Sequence, residues 1–339
     1  MNLQQRIGLL EKLGKYILSD SVNWEQVKVR ASQQNKWFIP DFISLALKNI
    51  AEEFLQKNKL EQLASQYRIP ENNPSPKNIG IVMAGNIPLV GFHDFLCVFI
   101  TGNKQTIKPS SKDDLLIRHL VDKLIEWDSE VPSLVRFSER LKACDAYIAT
   151  GSNNSARYFE QYFGKYPHII RRNRTSVAIL TGNEGWQDLE KLADDVHQFF
   201  GLGCRNVTKI YVPKGYDFVP LLNAFNKYNW MADQSKYKNN YDYQLAVMIL
   251  NKEYYMSNES ILLQEKASVF SPISQLNYEF YDDINSLERR LENQEDIQCV
   301  VGEGHLPFGE GQRPGLTDFA DGVDTLKFLL ELRADLKAG

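Results

Sequence analysis

The run Phe199-Phe200-Gly201-Leu202-Gly203-Cys204-Arg205-Asn206 sets a cysteine directly after a Gly-Leu-Gly stretch and just ahead of an apolar, strand-like segment, Val207 to Val212. Glycine has no Cβ, so backbone and ligand can approach Cys204 closely and the turn can take up strained dihedrals. A thiolate that attacks a carbonyl carbon needs that access, with N–H groups close to the charge it develops. A free cysteine is otherwise a small buried apolar residue, so the stretch alone leaves both readings open. The remaining cysteines, Cys97, Cys144 and Cys299, lie in an apolar helical pattern or beside strands and read as core. The four have no metal-ligand spacing, which implies no metal site, and reduced thiols fit a cytosolic chain.

Three further turns carry polar groups that could serve the same chemistry. They are Ala84-Gly85-Asn86-Ile87-Pro88, Lys108-Pro109-Ser110-Ser111-Lys112 and Thr150-Gly151-Ser152-Asn153-Asn154. Each follows a stretch that reads as a strand: Ile79 to Met83, Lys104 to Lys108 and Ala146 to Thr150. Ser152 is suited to cap the helix that follows it, whose first amides favour a phosphate. Simple turn chemistry would explain any one of these segments. Three in succession at strand ends, followed by a cysteine in a glycine-rich turn, point to a dinucleotide site.

The elements that would position these turns alternate. Strand signals at Ile79–Met83, Lys104–Lys108, Ala146–Thr150, Ser176–Leu180 and Val207–Val212 are separated by helical patterns at Pro88–Ile100, Asp113–Trp127, Ser152–Phe163 and Trp186–Phe200. Such alternation predicts a parallel, doubly wound sheet, which binds ligands at the carboxyl ends of its strands. Residues 1 to about 70 are helix-rich, with Ile7, Leu10, Leu13 and Ile17 at helical spacing. Beyond Val212 the expected elements are a helix at Asp217–Tyr228, a mobile loop at Tyr237–Tyr243, a helix at Tyr243–Asn251, a helix at Ser257–Gln264 and a strand at Ala267–Phe270. The glycine-rich stretch Leu306 to Gly315 predicts a tight loop.

The chain has 339 residues, 43% of them hydrophobic and 24% charged, the composition of an ordinary globular protein. A formal charge of −4 without a long basic run argues against a nucleic-acid partner. No apolar run reaches the roughly 18 residues of a transmembrane helix, and the N-terminus lacks the layout of a signal peptide. A cytoplasmic location is expected.

Joined in order, these pieces resemble the aldehyde dehydrogenase superfamily, and more narrowly the acyl-CoA reductases of the LuxC kind. Gly85-Asn86-Ile87-Pro88 is similar to the superfamily's asparagine-containing Trp-Asn-Phe-Pro segment. Thr101-Gly102-Asn103 to Lys108-Pro109-Ser110 is similar to its Gly-Asn…Lys-Pro-Ser strand, and Thr150-Gly151-Ser152 to its Thr-Gly-Ser turn. Gly201-Leu202-Gly203-Cys204 resembles the Gly-Gln-x-Cys nucleophile loop, Phe270-Ser271-Pro272 the Phe-Gly-Pro segment, and Pro307 to Gly315 the late glycine-rich loop. The resemblance implies a shortened α/β fold, with a doubly wound parallel-sheet cofactor domain and a smaller α/β catalytic domain. The expected division is residues 1–200 for the N-terminal helices and dinucleotide-binding domain, 201–325 for the catalytic cysteine domain and 326–339 for a C-terminal helix or tail.

The same resemblance implies the chemistry: an acyl-CoA reduced to the aldehyde with NADPH, or secondarily NADH, through a thioester on Cys204. Asn86 and the Cys204 N–H would form the oxyanion hole. Lys108, Ser110, Ser111, Gly151 and Ser152 would hold the nucleotide, and His168 is a candidate for proton transfer. Hydrolytic relatives carry a general-base Glu some three dozen residues before the nucleophile, whereas this chain has His168-Ile169-Ile170-Arg171-Arg172-Asn173-Arg174 there. Ser111 stands where NAD-preferring relatives often place a Glu, and its other role would be to cap the helix near Asp113. An acyl-phosphate reductase of the glutamyl-phosphate type and a catalytically silent binding subunit are the alternatives. The oligomerisation hairpin is not evident, which leaves a homo-oligomer and a partner subunit both open.

Overall fold

A computed structural model describes residues 1–292 and 294–332. The chain begins with four helices: α1 (Leu3–Ile17), α2 (Val22–Gln34), α3 (Pro40–Asn49), continued by a wider turn at Ile50–Phe54, and α4 (Lys57–Gln66). Asn2 and Gln5 close a reciprocal capping box on α1, satisfying donors that the first turn leaves without partners. There follow β1 (Asn78–Val82), α5 (Phe92–Ile100), β2 (Lys104–Lys108), α6 (Leu115–Trp127), α7 (Val131–Leu134), β3 (Val135–Phe137), β4 (Ala146–Thr150), α8 (Asn153–Phe163) and β5 (His168–Arg171). The strands form a five-stranded parallel sheet in the order β3-β2-β1-β4-β5. Helix α5 is apolar nearly all round, and every residue of it except His93 is buried, as a helix without a polar face must be.

The second set of elements comprises β6 (Thr175–Ile179), α9 (Trp186–His197), β7 (Val207–Pro213), α10 (Val219–Phe225), α11 (Ser235–Asn251), β8 (Met256–Ser257), β9 (Leu262–Glu265), β10 (Gln275–Tyr281), α12 (Ile284–Leu291) and β11 (Ile297–Gly302). Its sheet has the order β11-β6-β7-β10-β9-β8 and is parallel apart from the short edge strand β8. Val177, Ile179, Tyr211, Leu287, Leu291 and Ile297 make a core beneath α12. The last described helix, α13 (Thr325–Glu331), belongs to the first unit.

The two compact units are Met1–Asn173 with Pro314 onward, and Arg174–Arg313. The division therefore falls after Asn173 rather than at residue 200. Strand β6 pairs with β7 and β11, not with β5, and α9 packs on α10 and β7, so both elements leave the first sheet. The α/β class with parallel sheets agrees with expectation, while the strands predicted as one series are shared between two sheets. The expected tail at 326–339 is described only as far as residue 332.

Local expectations differ in four places. The helix expected from Pro88 begins at Phe92, because Leu89 takes a positive φ of 56° and breaks the helical path. The loop expected at Tyr237–Tyr243 lies inside α11, where Tyr237 is buried. The helix expected at Ser257–Gln264 is the end of β8 with β9. The strand expected at Ala267–Phe270 is irregular, and pairing resumes only at Gln275.

In the first unit, Arg171 at the end of β5 ion-pairs with Asp94 of α5 and donates to Thr325 Oγ1 of α13 at 2.8 Å, all three being buried. Removing one member of such a pair leaves the other charge without compensation. Arg171→Leu is expected to lower stability by about 3–5 kcal/mol in urea unfolding. A loss below about 1 kcal/mol would show that the pair does not anchor α13.

Candidate active site

Helix α9 ends at His197, and the chain then turns through three successive left-handed residues: Phe199 (φ 54°), Phe200 (φ 57°) and Gly201 (φ 72°). For a non-glycine residue that conformation costs roughly 1–2 kcal/mol. Burial offsets it, since Phe199 and Phe200 are both nearly inaccessible and Phe200 meets the rings of Trp230 and Tyr237. The turn is then closed by Asn206. Its Oδ1 accepts from the Gly203 N–H at 2.8 Å, and its Nδ2 donates to the carbonyls of Asp195, Val196 and Gln198 at 3.0, 3.3 and 2.8 Å. Those carbonyls lie at the C-terminal end of α9, where intrahelical donors run out. One fully buried amide thus ends the helix and sets the loop that carries Cys204.

Cys204 is half-buried. Its carbonyl accepts from Ser176 Oγ of β6 at 3.1 Å, and the same hydroxyl accepts from the Cys299 N–H at 3.2 Å and lies 3.0 Å from Cys299 Sγ. Cys299 is half-buried rather than core, whereas Cys97 and Cys144 are buried, as expected. Arg205 Nε donates to the Gly311 carbonyl at 2.6 Å. Asp195, with no exposed surface, accepts from the Gly309 and Gly311 N–H groups at 2.7 and 2.8 Å. The Cys204 turn and the late glycine-rich loop are therefore bound to one helix end.

The other candidate residues are in the first unit, all but His168 at the carboxyl ends of its strands; His168 opens β5 at its amino end. Asn86 follows β1 and is exposed; Lys108 ends β2, with Ser110 and the exposed Ser111 after it; Gly151 and Ser152 follow β4. The strand order reverses direction between β1 and β4, and a doubly wound sheet receives its ligand at such a switch point. Ser152 caps α8 by accepting from the Ser155 N–H. A Cβ on Gly151 would meet Ser155 and Phe159 at 2.9 Å, so only glycine lets α8 sit this close to β4. Ser111 does not cap α6, whose first helical residue is Leu115 and whose cap position is Asp114; the Ser111 carbonyl instead accepts from Gln34. His168 lies in β5 with Nδ1 2.8 Å from the Tyr166 carbonyl and Nε2 3.7 Å from Glu160. Among the described residues no group of His, Cys, Asp and Glu could hold a metal ion, and no helix is long and apolar enough to cross a membrane.

Sequence patterns drew attention to the turns and passed over the side chains that hold them: Asn206, Asp195, Ser176 and Tyr237. Only Asn206 left a signal, as a polar residue wedged between the cysteine and an apolar strand. Burial pushes the Asp195 carboxyl up to about 6 from 3.8, although its two amide donors pull the other way. The folded state holds this proton more tightly than the unfolded chain does, so the group's stabilisation falls as pH rises through that window. Asp195→Asn abolishes the titration and turns one acceptor into a donor facing an amide N–H. The variant is expected to be about 1–3 kcal/mol less stable in urea unfolding at about pH 4.5, with the deficit shrinking towards about pH 7. An equal deficit at both values would contradict this.

Known proteins resemble this chain in sequence and in fold. A family profile described as "Acyl-CoA reductase (LuxC)" matches residues 47–220, just over half of the chain, and spans Asn86, Lys108, Gly151 and Cys204. The long-chain acyl-protein thioester reductase of Aliivibrio fischeri is 22% identical over 313 residues, which are 82% of this chain and 64% of that one. The chain thus spans slightly less than two thirds of that relative's length. In fold it is similar to the NAD-dependent aldehyde dehydrogenase of Sinorhizobium meliloti, with a TM-score of 0.65 at 11% identity over 89% of this chain and 70% of that one. It is also similar to a Mycobacterium tuberculosis aldehyde dehydrogenase complexed with NAD+, with a TM-score of 0.62 at 12% identity over 86% and 71%. With its parallel α/β architecture of the aldehyde dehydrogenase type and a profile match that covers both the strand-end turns and the cysteine loop, the chain belongs to the LuxC family of acyl-CoA reductases.

Proposed function

We propose that this chain reduces an acyl-CoA thioester to the aldehyde with NADPH, and that Cys204 carries the acyl group between the two half-reactions. The observation that carries this is the cysteine turn: a half-buried thiol on a loop whose strained backbone is held by buried aromatic rings and by Asn206. A structural cysteine needs no such scaffold. Membership of the acyl-CoA reductase family supports the same assignment.

The Cys204 thiolate attacks the acyl carbon, and the carbonyl electrons move onto oxygen. The side-chain amide of Asn86 and the N–H of Cys204 are the donors assigned to that oxyanion. When the oxyanion collapses, the C–S bond to coenzyme A breaks and the acyl group remains on Cys204 as a thioester. A reduced nicotinamide nucleotide would supply the hydride that converts this thioester to a thiohemiacetal. The thiohemiacetal then releases aldehyde and returns the Cys204 sulfur. Lys108, Ser110, Ser111, Gly151 and Ser152 are assigned to the nucleotide. The amide-rich start of α8 suits a phosphate, and the exposed Lys108 suits a negative charge. Deacylation by water needs a base, and the segment His168 to Arg174 contains no carboxylate.

Purified protein given a series of acyl-CoAs should consume NADPH and form aldehyde in equal amounts. Absence of turnover with every chain length would contradict the assignment. Removing one oxyanion donor typically costs about 10²–10³ in rate, so Asn86→Ala is expected to lower kcat by that factor. Without NADPH, free carboxylic acid should appear far more slowly than aldehyde does in its presence; rapid hydrolysis would contradict the missing base. The KM for NADPH should lie below that for NADH, because the Ser111 hydroxyl can donate to a 2′-phosphate that a carboxylate would repel. Ser111→Glu should erode the preference by about tenfold, a differential of roughly 1.4 kcal/mol. An unchanged cofactor ratio would show that this turn does not select the nucleotide.

A further inference from the structure

The turn that carries Asn86 is anchored by an acid on the next turn of the first unit. Pro88 offers no N–H, so the Leu89 amide is the first donor after it, and Leu89 sits at a strained φ of 56°. That amide donates to Asp113 Oδ2 at 2.6 Å. Asp113 is only 8% exposed, and its second oxygen, Oδ1, has no hydrogen-bond partner. Burial drives its carboxyl well above the usual carboxylate range, with the neighbouring Asp114 adding to the effect and the Leu89 amide opposing it. Among the described residues, the carboxyl's hydrogen-bonding partner is the backbone of the Asn86 turn.

Independent contacts hold Asp113 itself in place. Its N–H donates to the Ser110 carbonyl at 3.0 Å, and the Lys112 N–H donates to Ser110 Oγ at 3.2 Å. From α2, Gln34 Nε2 donates to the Ser111 carbonyl at 2.9 Å and Asn35 Nδ2 to the Lys112 carbonyl at 3.3 Å. The Met83 N–H donates to the Lys108 carbonyl at 3.0 Å, extending the β1–β2 ladder to the base of both turns. A Cβ on Gly85 would come within 2.5 Å of Ser110 Oγ, so the two turns meet with no room for a side chain. The segment Gly85–Leu89 is thus pinned at one end by close packing and at the other by Asp113, with Asn86 exposed between them.

We infer that Asp113 is the positioning residue for Asn86: by holding the Leu89 amide it fixes the turn that presents the oxyanion donor. This rests on the role given to Asn86 above. An Asn at 113 keeps a neutral acceptor of the same shape, whereas a Leu of similar size leaves the Leu89 N–H buried without a partner.

The test is a double-mutant cycle on the full chain, with acyl-CoA reduction as the readout. Asp113→Leu should lower kcat about tenfold or more with the KM for the nucleotide changed less than about twofold, and Asp113→Asn should retain most of the activity. In an Asn86→Ala background, Asp113→Leu should cost less than about twofold, because the group it positions is gone. Should Asp113→Leu fail to fold, Asp113→Ser, whose hydroxyl is too short to reach Leu89, is carried through the same cycle with the same expectation. Additive losses, or a loss confined to nucleotide affinity, would overturn the inference while leaving the role of Asn86 intact. If Asn86→Ala alone leaves kcat unchanged, the oxyanion assignment fails and the inference falls with it.

Discussion

Helix α9 runs out of donors at the point where the chain must turn sharply towards Cys204, and the Asn206 side chain resolves both demands. Its amide takes up three carbonyls at the helix end and one N–H in the loop. Without it, buried carbonyls would lose their partners, at about 1–3 kcal/mol for each polar group left unsatisfied. The left-handed residues Phe199 and Phe200 would then lose the anchor that closes their turn. The other fixed points of this unit refer to the same place. Ser176 ties the Cys204 carbonyl to β6, Arg205 ties the loop to Gly311, and Asp195 gathers the Gly309 and Gly311 amides onto α9.

The two units solve one problem at opposite edges of their sheets. In the first, the candidate groups follow β1, β2 and β4, at the carboxyl edge where helix N-termini and open turns face a ligand. In the second, Cys204 precedes β7, and the hydroxyl that holds its carbonyl stands at the amino end of β6. A buried acid with no cation partner among the described residues appears in each: Asp113 against the Leu89 amide, and Asp195 against the Gly309 and Gly311 amides. Burial raises both carboxyls from their ordinary range, and each accepts from backbone amides outside the regular elements. Two loops without regular pairing are thereby given fixed geometry.

The sequence made legible what rests on local pattern. Apolar runs bounded by glycine and proline located β1, β2, β4, β6 and β7, and the turns after them supplied the candidate residues. It did not show which sheet each strand joins, because parallel partners are distant in the chain and β6 looks like any other buried strand. Helix α11 was expected only from Tyr243; its first two turns were hidden because the helix buries only Tyr237 and Met248 of its seventeen residues, too few to mark an apolar stripe among Tyr, Asn and Lys. Tyr237, dismissed with that segment, packs on Phe200 and helps to support the strained turn. Asp113 and Asp195 escaped notice for a related reason: their partners are backbone amides 24 and 114 or more positions away, and no residue type announces such a pairing.

The role proposed for Cys204 makes one thiol of four a nucleophile for thioesters. It is tested most directly by incubating the protein with an acyl-CoA in the absence of nucleotide, quenching, and locating the acyl group by peptide mass spectrometry. A hydroxylamine-labile acyl group is expected on Cys204 and none on Cys97, Cys144 or Cys299. An acyl group on one of those three instead, or full turnover in Cys204→Ala, would contradict it.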